Sequence, residues 1–249
     1  MQQQRTWSLE MFKRFCVGKG GPVFVYINAP GIPVGGREVC DAVQKLTCES
    51  FELIEVLVDN WDTNLSPWIA PSAFKKGNFT GGGVKTLNWV VSELLNGIKK
   101  DSLPEQKFYI VGYSLAGLFA MWSLYETEVF DGAICCSGSL WFPDWDEYMR
   151  TAKLNKPGIV YISLGGKEET TKNPVMQSVG VRTRNQLKLL KADPNCVATT
   201  LEMNPGGHFS DTANRIAKGI AYVLEKQLSA IGHQLPTEKA GRGKSEARS

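Results

Sequence analysis

The sequence predicts an α/β protein with a mainly parallel central sheet and helices on both of its faces. Short apolar runs rich in β-branched and aromatic residues alternate along the chain with longer amphipathic stretches. This alternation is typical of a parallel sheet flanked by helices. The composition agrees, because the 249 residues are 43% hydrophobic and 21% charged, which resembles ordinary soluble domains and differs from disordered chains.

The strands and helices are predicted from the periodicity of the apolar residues. Six apolar runs are predicted as strands, at residues 23–28, 53–59, 107–111, 132–136, 158–164 and 197–203. Alternation at Trp7, Leu9 and Met11 predicts a further edge strand near the start of the chain. Apolar residues at helical spacing predict helices at 37–45, 84–100, 115–126, 179–191 and 212–228.

A single domain is predicted over residues 1–232. The sequence contains no internal repeat and no linker that would separate two cores. Segment 60–83 is rich in Trp, Pro, Gly and Asn and is too long for a plain connection, so we expect an ordered surface excursion on a compact fold without a large separate cap domain. Residues 233–249 carry most of the net charge of +3 and are predicted to form a flexible basic tail.

Charge and residue counts argue against several classes of function. The chain has 28 Lys+Arg against 25 Asp+Glu, and its near-neutral body lacks the electrostatic footprint of a nucleic-acid-binding protein. The only two histidines are His208 and His233, and the six cysteines lack paired spacing. A zinc site is therefore not expected, and neither is any other cofactor. We expect the cysteines to be reduced and mostly buried.

The hydropathy of the chain bears on its location. No apolar run approaches the roughly 20 residues that are needed to cross a bilayer. The first ten residues are polar and contain no signal-peptide core. We therefore expect a cytoplasmic protein that contacts no membrane, although a chain from which a leader had been removed would look the same. The oligomeric state stays open.

The strongest local motif is a serine between a buried-type strand and a helix, in the run Phe-Tyr-Ile-Val-Gly-Tyr-Ser-Leu-Ala-Gly-Leu-Phe at 108–119. Such a strand-to-helix turn is typical of a nucleophile elbow, which exposes the serine hydroxyl above the sheet. The turn needs small residues on both sides. Gly112 lies two residues before Ser114, but Ala116 replaces the usual glycine two residues after it. The alternative is a turn in which Ser114 only caps the helix.

A base and an acid are predicted from two later loops. A serine becomes a nucleophile only beside a base, and His208, in the loop Asn-Pro-Gly-Gly-His-Phe at 204–209, is the only histidine inside the predicted domain. Glu168, after the strand at 158–164, is predicted to orient the imidazole. Glu169 is the fallback, and a Ser–His dyad without an essential acid is a further alternative.

Stabilisation of an oxyanion requires two backbone N–H groups that point at the developing charge. The first is predicted at Leu115, directly after the predicted nucleophile. The second is predicted in the loop after strand 23–28, at Ile32 or alternatively Gly31, because Pro30 and Pro33 have no N–H.

Three tryptophans are candidates for substrate binding. Trp61 and Trp68 lie in the excursion, and Trp141 follows the strand at 132–136. Loops after strand ends bind ligands in α/β folds, so we interpret these side chains as walls of a cleft over Ser114. The alternative is that they fill the core.

Four sequence blocks, taken in order, resemble serine esterases of the α/β-hydrolase superfamily, in the branch that includes esterase D and the enterochelin-type siderophore esterases. They are Gly-Tyr-Ser-Leu-Ala-Gly at 112–117, Cys-Ser-Gly-Ser-Leu-Trp at 136–141, the Gly-Gly-Lys-Glu-Glu loop that runs into Asn-Pro at 165–176, and Gly-Gly-His-Phe at 206–209. The resemblance covers about residues 22–228. It implies the α/β-hydrolase fold, with Ser114 as nucleophile, His208 as base and a loop glutamate as the orienting acid. The departures are Ala116 and the absence of a His-Gly pair in the oxyanion loop.

Motifs and resemblance together predict a serine hydrolase that cleaves a small carboxylic ester, of siderophore or aryl/acyl type, through an acyl-enzyme. The body has no basic cluster for an anionic iron chelate, so a simpler ester fits as well as a siderophore. The alternatives are a thioesterase, a peptidase or an acyltransferase with the same residues, and a catalytically silent hydrolase fold that only binds a ligand. A cysteine hydrolase is not expected, because no cysteine occupies the elbow.

Overall fold

The computed structural model describes residues 12–32, 34–73, 77–99 and 105–232. The strand predicted at Trp7, Leu9 and Met11 and the basic tail predicted at 233–249 lie outside these residues. The predictions for these two segments are therefore not tested by the structure.

A seven-stranded sheet forms the centre of the described part of the chain. Its strands, with a separate two-stranded hairpin formed by β4 and β5, are β1 Phe12–Val17, β2 Val23–Asn28, β3 Phe51–Leu57, β4 Ile69–Pro71, β5 Asn78–Thr80, β6 Phe108–Tyr113, β7 Gly132–Cys136, β8 Gly158–Gly165 and β9 Cys196–Asn204. The order across the sheet is β1-β3-β2-β6-β7-β8-β9. All neighbours are parallel except β1, which pairs antiparallel with β3. The mainly parallel sheet is therefore confirmed, and all six predicted strands are present.

Helices cover both faces of this sheet. They are α1 Gly36–Val43, α2 Trp61–Leu65, α3 Gly83–Trp89, α4 Asn96–Lys99, α5 Leu115–Glu126, α6 Trp145–Thr151, α7 Pro174–Gln177, α8 Val179–Ala192 and α9 Thr212–Gly232. The helix predicted at 84–100 is α3 and α4 joined by a π-helical stretch, Val90–Leu95. A single 3-10 turn, Glu168–Thr170, follows β8.

Each central strand contributes side chains to two separate hydrophobic cores. Along β2, Val25 and Ile27 belong to the core that also contains α5, whereas Phe24 and Tyr26 belong to the core under α1 and α9. Successive side chains of a strand point to opposite faces, so a strand that is covered on both sides is apolar throughout. This explains why the central strands have no polar alternation and were predictable as continuous apolar runs.

The excursion at 60–83 packs on the body of the protein. Asn60 begins it by accepting a hydrogen bond from the N–H of Thr63 at the start of α2 (3.0 Å), as an N-cap residue does. Leu65, Ala70 and Phe79 are buried in the α5 core. The described part of this segment is thus an ordered addition to the core, as predicted.

The cysteines, the possible metal ligands and the hydropathy of the helices can each be compared with what the sequence predicted. All six cysteines are free, but only Cys40, Cys135 and Cys136 are buried, so the expectation of mostly buried thiols holds for half of them. In the described ranges, no three His, Cys, Asp or Glu side chains are placed to hold a metal ion. None of the described helices has the length and hydropathy of a bilayer-spanning segment.

Candidate active site

Ser114 lies at the junction of β6 and α5 in a backbone conformation that few residues adopt. Its φ is 59° and its ψ is −123°, which costs a non-glycine residue about 1–3 kcal/mol. Three backbone hydrogen bonds hold it there: Ser114 N–H donates to Cys136 O (3.0 Å), and Ser114 O accepts from Leu118 and Ser139 (3.1 and 3.0 Å). This strained turn has the geometry expected of a nucleophile elbow.

The small residues that the elbow needs are Gly112 and Gly117. A Cβ on Gly112 would lie 2.0 Å from the carbonyl oxygen of Ala116, and a Cβ on Gly117 would lie 3.1 Å from Cys136 O. Ala116 itself is fully buried in the α5 core. The close approach after the serine therefore falls on Gly117, and the alanine that departs from the usual motif is accommodated without a clash.

We expect Gly112→Ala to lower the free energy of unfolding by about 3 kcal/mol, because the added methyl meets backbone atoms that cannot move aside. The measurement is chemical denaturation followed by circular dichroism. Gly97→Ala is the matched control, since a Cβ there meets no atom within 4 Å and alanine favours a helix. Equal stability of Gly112→Ala and the wild type would contradict this description of the elbow.

The structure brings the three residues predicted for acyl transfer together. The imidazole Nε2 of His208 lies 3.1 Å from Ser114 Oγ, and its Nδ1 lies 2.7 Å from Glu168 Oε2. Ser114 follows β6, Glu168 follows β8 and His208 follows β9. Because these strands are parallel, their carboxyl ends meet at one edge of the sheet, where α/β proteins place their ligand sites.

The two candidate acids have different surroundings. Glu168 is buried, whereas Glu169 pairs with Arg184 Nη2 at 2.7 Å and lies nearer the surface. The 3-10 turn sends the two adjacent side chains in different directions. The geometry therefore selects Glu168 over the fallback Glu169 as the partner of His208.

The Glu168 carboxylate is surrounded by donors. Its Oε1 accepts from Ser137 Oγ and from Gly165 N–H, both at 2.6 Å, and lies 3.2 Å from Arg215 Nη1. Burial alone would raise the pKa of Glu168, but the hydrogen bonds from His208, Ser137 and Gly165 outweigh it and hold that pKa below its ordinary value. The side chain is therefore a carboxylate at neutral pH.

Three residues of this network were missed in the sequence. Arg215, near the start of α9, is 1% exposed, and its guanidinium donates to the Tyr113 hydroxyl (3.0 Å) and Ser137 Oγ (3.1 Å). The Tyr113 hydroxyl donates to the carbonyl oxygen of His208 (2.5 Å). Ser137 stands within a block that resembles the esterases, but nothing in the sequence distinguishes Arg215 from a surface arginine.

The predicted oxyanion donors meet different outcomes. Leu115 is the first residue of α5, so its N–H has no acceptor inside the helix, which suits the predicted role. Ile32 N–H, in contrast, donates to Ala29 O at 3.2 Å. Pro30 and Gly31 form the middle of that turn, and Gly31 has a φ of +85°, as a type II turn requires. The N–H of Ile32 is therefore engaged within the turn, and the second oxyanion donor stays a prediction, at Ile32 or alternatively Gly31.

The tryptophans predicted to bind substrate lie in or against the core. Trp68 donates its indole N–H to Pro143 O (3.1 Å) and packs on Phe142. Trp141 is buried and Trp61 is half-buried against the same core. Packing accounts for these side chains, so contact with a substrate stays a prediction.

An aromatic residue that was not predicted lies beside the candidate base. The Phe209 side chain is 90% exposed, and its ring centroid is 4.9 Å from that of the His208 imidazole. In acyl transfer the imidazole delivers the proton to the leaving group. Phe209 therefore presents an exposed aromatic side chain next to the candidate base.

Comparisons with known proteins give matches in structure. No protein-family model and no curated protein matches the sequence. Siderophore hydrolase EstA from Aspergillus nidulans superposes with a TM-score of 0.67 at 14% identity, over 87% of this chain and 95% of that one. An IroE-like serine hydrolase from Shewanella oneidensis gives a TM-score of 0.69 at 16% identity, over 86% and 75%.

A third solved structure is also similar to this chain. An S-formylglutathione hydrolase from Agrobacterium tumefaciens matches with a TM-score of 0.54 at 13% identity, over 86% of this chain and 89% of that one. All three similarities cover most of the sheet and its helices. The chain has the α/β-hydrolase fold, which is the fold that the sequence resemblance implied.

Proposed function

We propose that this protein is a serine esterase that hydrolyses small carboxylic esters through an acyl-enzyme. One observation carries the proposal: Ser114 Oγ, the His208 imidazole and the Glu168 carboxylate form a chain of contacts of 3.1 and 2.7 Å. The strained backbone of Ser114 supports it, because such strain is concentrated at functional sites. The similarity to solved esterases and hydrolases supports the same reaction class.

The arrangement fits acylation of the serine. The Glu168 carboxylate accepts a hydrogen bond from the Nδ1–H of His208, which leaves the lone pair of Nε2 directed at Ser114 Oγ. His208 takes the hydroxyl proton as Ser114 Oγ bonds to the ester carbonyl carbon. The carbonyl oxygen becomes an oxyanion, held by Leu115 N–H and a second N–H, for which Ile32 and Gly31 are the candidates.

Collapse of the tetrahedral intermediate breaks the bond to the alcohol, which leaves with the proton from His208. Water then enters, gives a proton to His208 and attacks the acyl-serine. The second intermediate releases the carboxylic acid and returns the proton to Ser114. Glu168 stays ionised throughout, consistent with its lowered pKa, and stabilises the imidazolium that forms twice in each cycle.

A matched panel of ester, thioester and amide substrates with one acyl group tests the reaction class. We expect the ester to have the highest kcat/KM and the amide no measurable turnover. The thioester belongs in the panel because one similar fold is that of an S-formylglutathione hydrolase. Amide turnover above ester turnover would favour the peptidase alternative. Ligand binding without turnover of any substrate would favour the silent fold and refute the proposal.

We expect Glu168→Gln to lower kcat by about 10²- to 10⁴-fold with little change in KM, because an amide cannot stabilise the imidazolium. Steady-state kinetics on the best ester measure this. Glu169→Gln is the matched control, since Glu169 contacts Arg184 instead of His208, and it should retain activity within about twofold. Full activity of Glu168→Gln would instead indicate a Ser–His dyad that needs no acid.

A further inference from the structure

The candidate acid shares its carboxylate between the base and a buried arginine. Glu168 Oε2 faces His208 at 2.7 Å, while Oε1 faces Arg215 Nη1 at 3.2 Å. The Arg215 side chain is 1% exposed. A guanidinium is charged at every pH that a folded protein tolerates, so a permanent positive charge lies next to the acid of the candidate site.

The same guanidinium holds the loop that carries the base. Arg215 Nη2 donates to the carbonyl oxygens of Pro205 (2.9 Å) and Gly207 (3.0 Å), directly before His208. The side chain therefore links α9, the acid after β8 and the loop after β9. Its planar fork satisfies several acceptors at fixed angles, which a lysine ammonium cannot reproduce.

The other titratable groups around this network are neutral or lie nearer the surface. Burial raises the pKa of the Tyr113 phenol, and burial raises the pKa of the Cys136 thiol, which donates to Arg215 O, to about 12. On α9 and β9, Lys218 is paired with Glu202, and both are more than one-third exposed. Lys167 and Asp211 are exposed. Solvent screens such charges, so Arg215 and Glu168 form the buried charge pair that acts on His208.

We propose that Arg215 is a positioning residue that sets the acid limit of the reaction: its charge keeps the Glu168–His208 pair unprotonated, and its fork holds the His208 loop. This inference rests on the proposed esterase function. With Arg215 present, the guanidinium balances the negative charge of the Glu168 carboxylate. Without the guanidinium the pair would carry an uncompensated negative charge in a buried place.

The expected direction of the pH effect follows from the charge that Arg215 supplies next to Glu168. A buried pair with net charge −1 takes up a proton more readily than one neutralised by a cation, whichever of its atoms receives the proton. Protonation removes the base that activates Ser114. Loss of the guanidinium charge should therefore move the acid limb, the low-pH side of the plot of kcat/KM against pH, to higher pH.

Three variants separate charge from positioning. For Arg215→Gln, which removes the charge but keeps hydrogen-bond donors, we expect the acid limb to move up by about one pH unit. For Arg215→Lys, which keeps the charge but loses the fork, we expect the limb to stay within about 0.3 unit of the wild type while kcat falls about tenfold or more. Arg184→Met, which removes the partner of the neighbouring Glu169, is the control and should change neither quantity.

The readout is kcat/KM against pH on one ester, with the pH dependence of labelling by a fluorophosphonate as a second measure for weakly active variants. An unmoved limb in Arg215→Gln, or an upward shift in Arg215→Lys, would overturn the inference. If Arg215→Gln does not fold, Arg215→Lys still tests the inference: an upward shift of its acid limb would refute the role of the charge, and a wild-type kcat would refute the role of the fork. A wild-type protein that neither turns over esters nor reacts at Ser114 would refute the proposed function; an active wild type with unmoved limbs refutes this inference alone.

Discussion

Ser114→Ala is expected to lower kcat/KM for an ester substrate by about 10⁴- to 10⁶-fold. Without the Oγ there is no atom to form the acyl-enzyme, and the remaining oxyanion donors and binding contacts support only slow attack by water. Fold and stability should be retained, because alanine meets the same backbone constraint at a φ of 59° and adds no atoms. The measurement is steady-state hydrolysis of the best ester from the panel.

The control for this variant is Ser92→Ala. Ser92 is exposed, and its hydroxyl donates to the carbonyl oxygen of Asn88 in its own helix, so wild-type turnover is expected. A Ser114→Ala protein that hydrolyses esters at the wild-type rate would place the nucleophile elsewhere. Loss of activity in both variants would point to impurity or misfolding instead of chemistry.

His208→Ala is expected to cause a loss of similar size, about 10⁴-fold or more in kcat/KM, because in the proposed mechanism the imidazole removes the proton from Ser114. Its Nε2 is 3.1 Å from Ser114 Oγ, and the chain has one other histidine, His233. His233→Ala serves as the matched control and should leave turnover unchanged.

The double variant Ser114→Ala/His208→Ala sharpens this expectation. Residues that act as one unit show strongly non-additive losses. The double variant should therefore be about as inactive as Ser114→Ala alone. A loss equal to the product of the two single losses would show that Ser114 and His208 act independently, which would contradict the proposed proton transfer between them.

The central strands and the positions of Ser114 and His208 at strand ends could be predicted because both leave strong local patterns. Strands β2, β6, β7 and β8 are buried along their whole length, so they appear in the sequence as continuous apolar runs. Ser114 directly follows such a run, β6, and His208 follows β9 in a glycine-rich loop. The parallel sheet then places these loops at one edge.

Features that depend on distant or exposed residues were not predictable in the same way. β1 is an edge strand in which no side chain is fully buried, so it shows no clear apolar alternation. The sequence ranked Glu168 before the adjacent Glu169, but the different contacts of the two side chains, with His208 and with Arg184, depend on the 3-10 turn. Partners far apart in sequence are equally hidden, and Arg215 lies 47 residues from Glu168.

The second oxyanion donor shows a further limit of sequence reasoning. The absence of an N–H in proline excluded two residues of the loop, but the hydrogen bond from Ile32 to Ala29 becomes visible only in the folded turn. The Pro30-Gly31 pair is a typical turn signal. That signal predicts the turn in which the Ile32 N–H is engaged.

Reaction with a fluorophosphonate probe, followed by mass mapping of the modified peptide, tests the proposed nucleophile most directly. A serine whose hydroxyl is activated by a neighbouring imidazole attacks phosphorus and keeps a stable covalent adduct. We expect one modified residue, Ser114, with labelling abolished in His208→Ala and retained in Glu169→Gln. Absence of labelling in the folded wild-type protein, or an adduct on any residue other than Ser114, would contradict the proposed nucleophile and with it the mechanism.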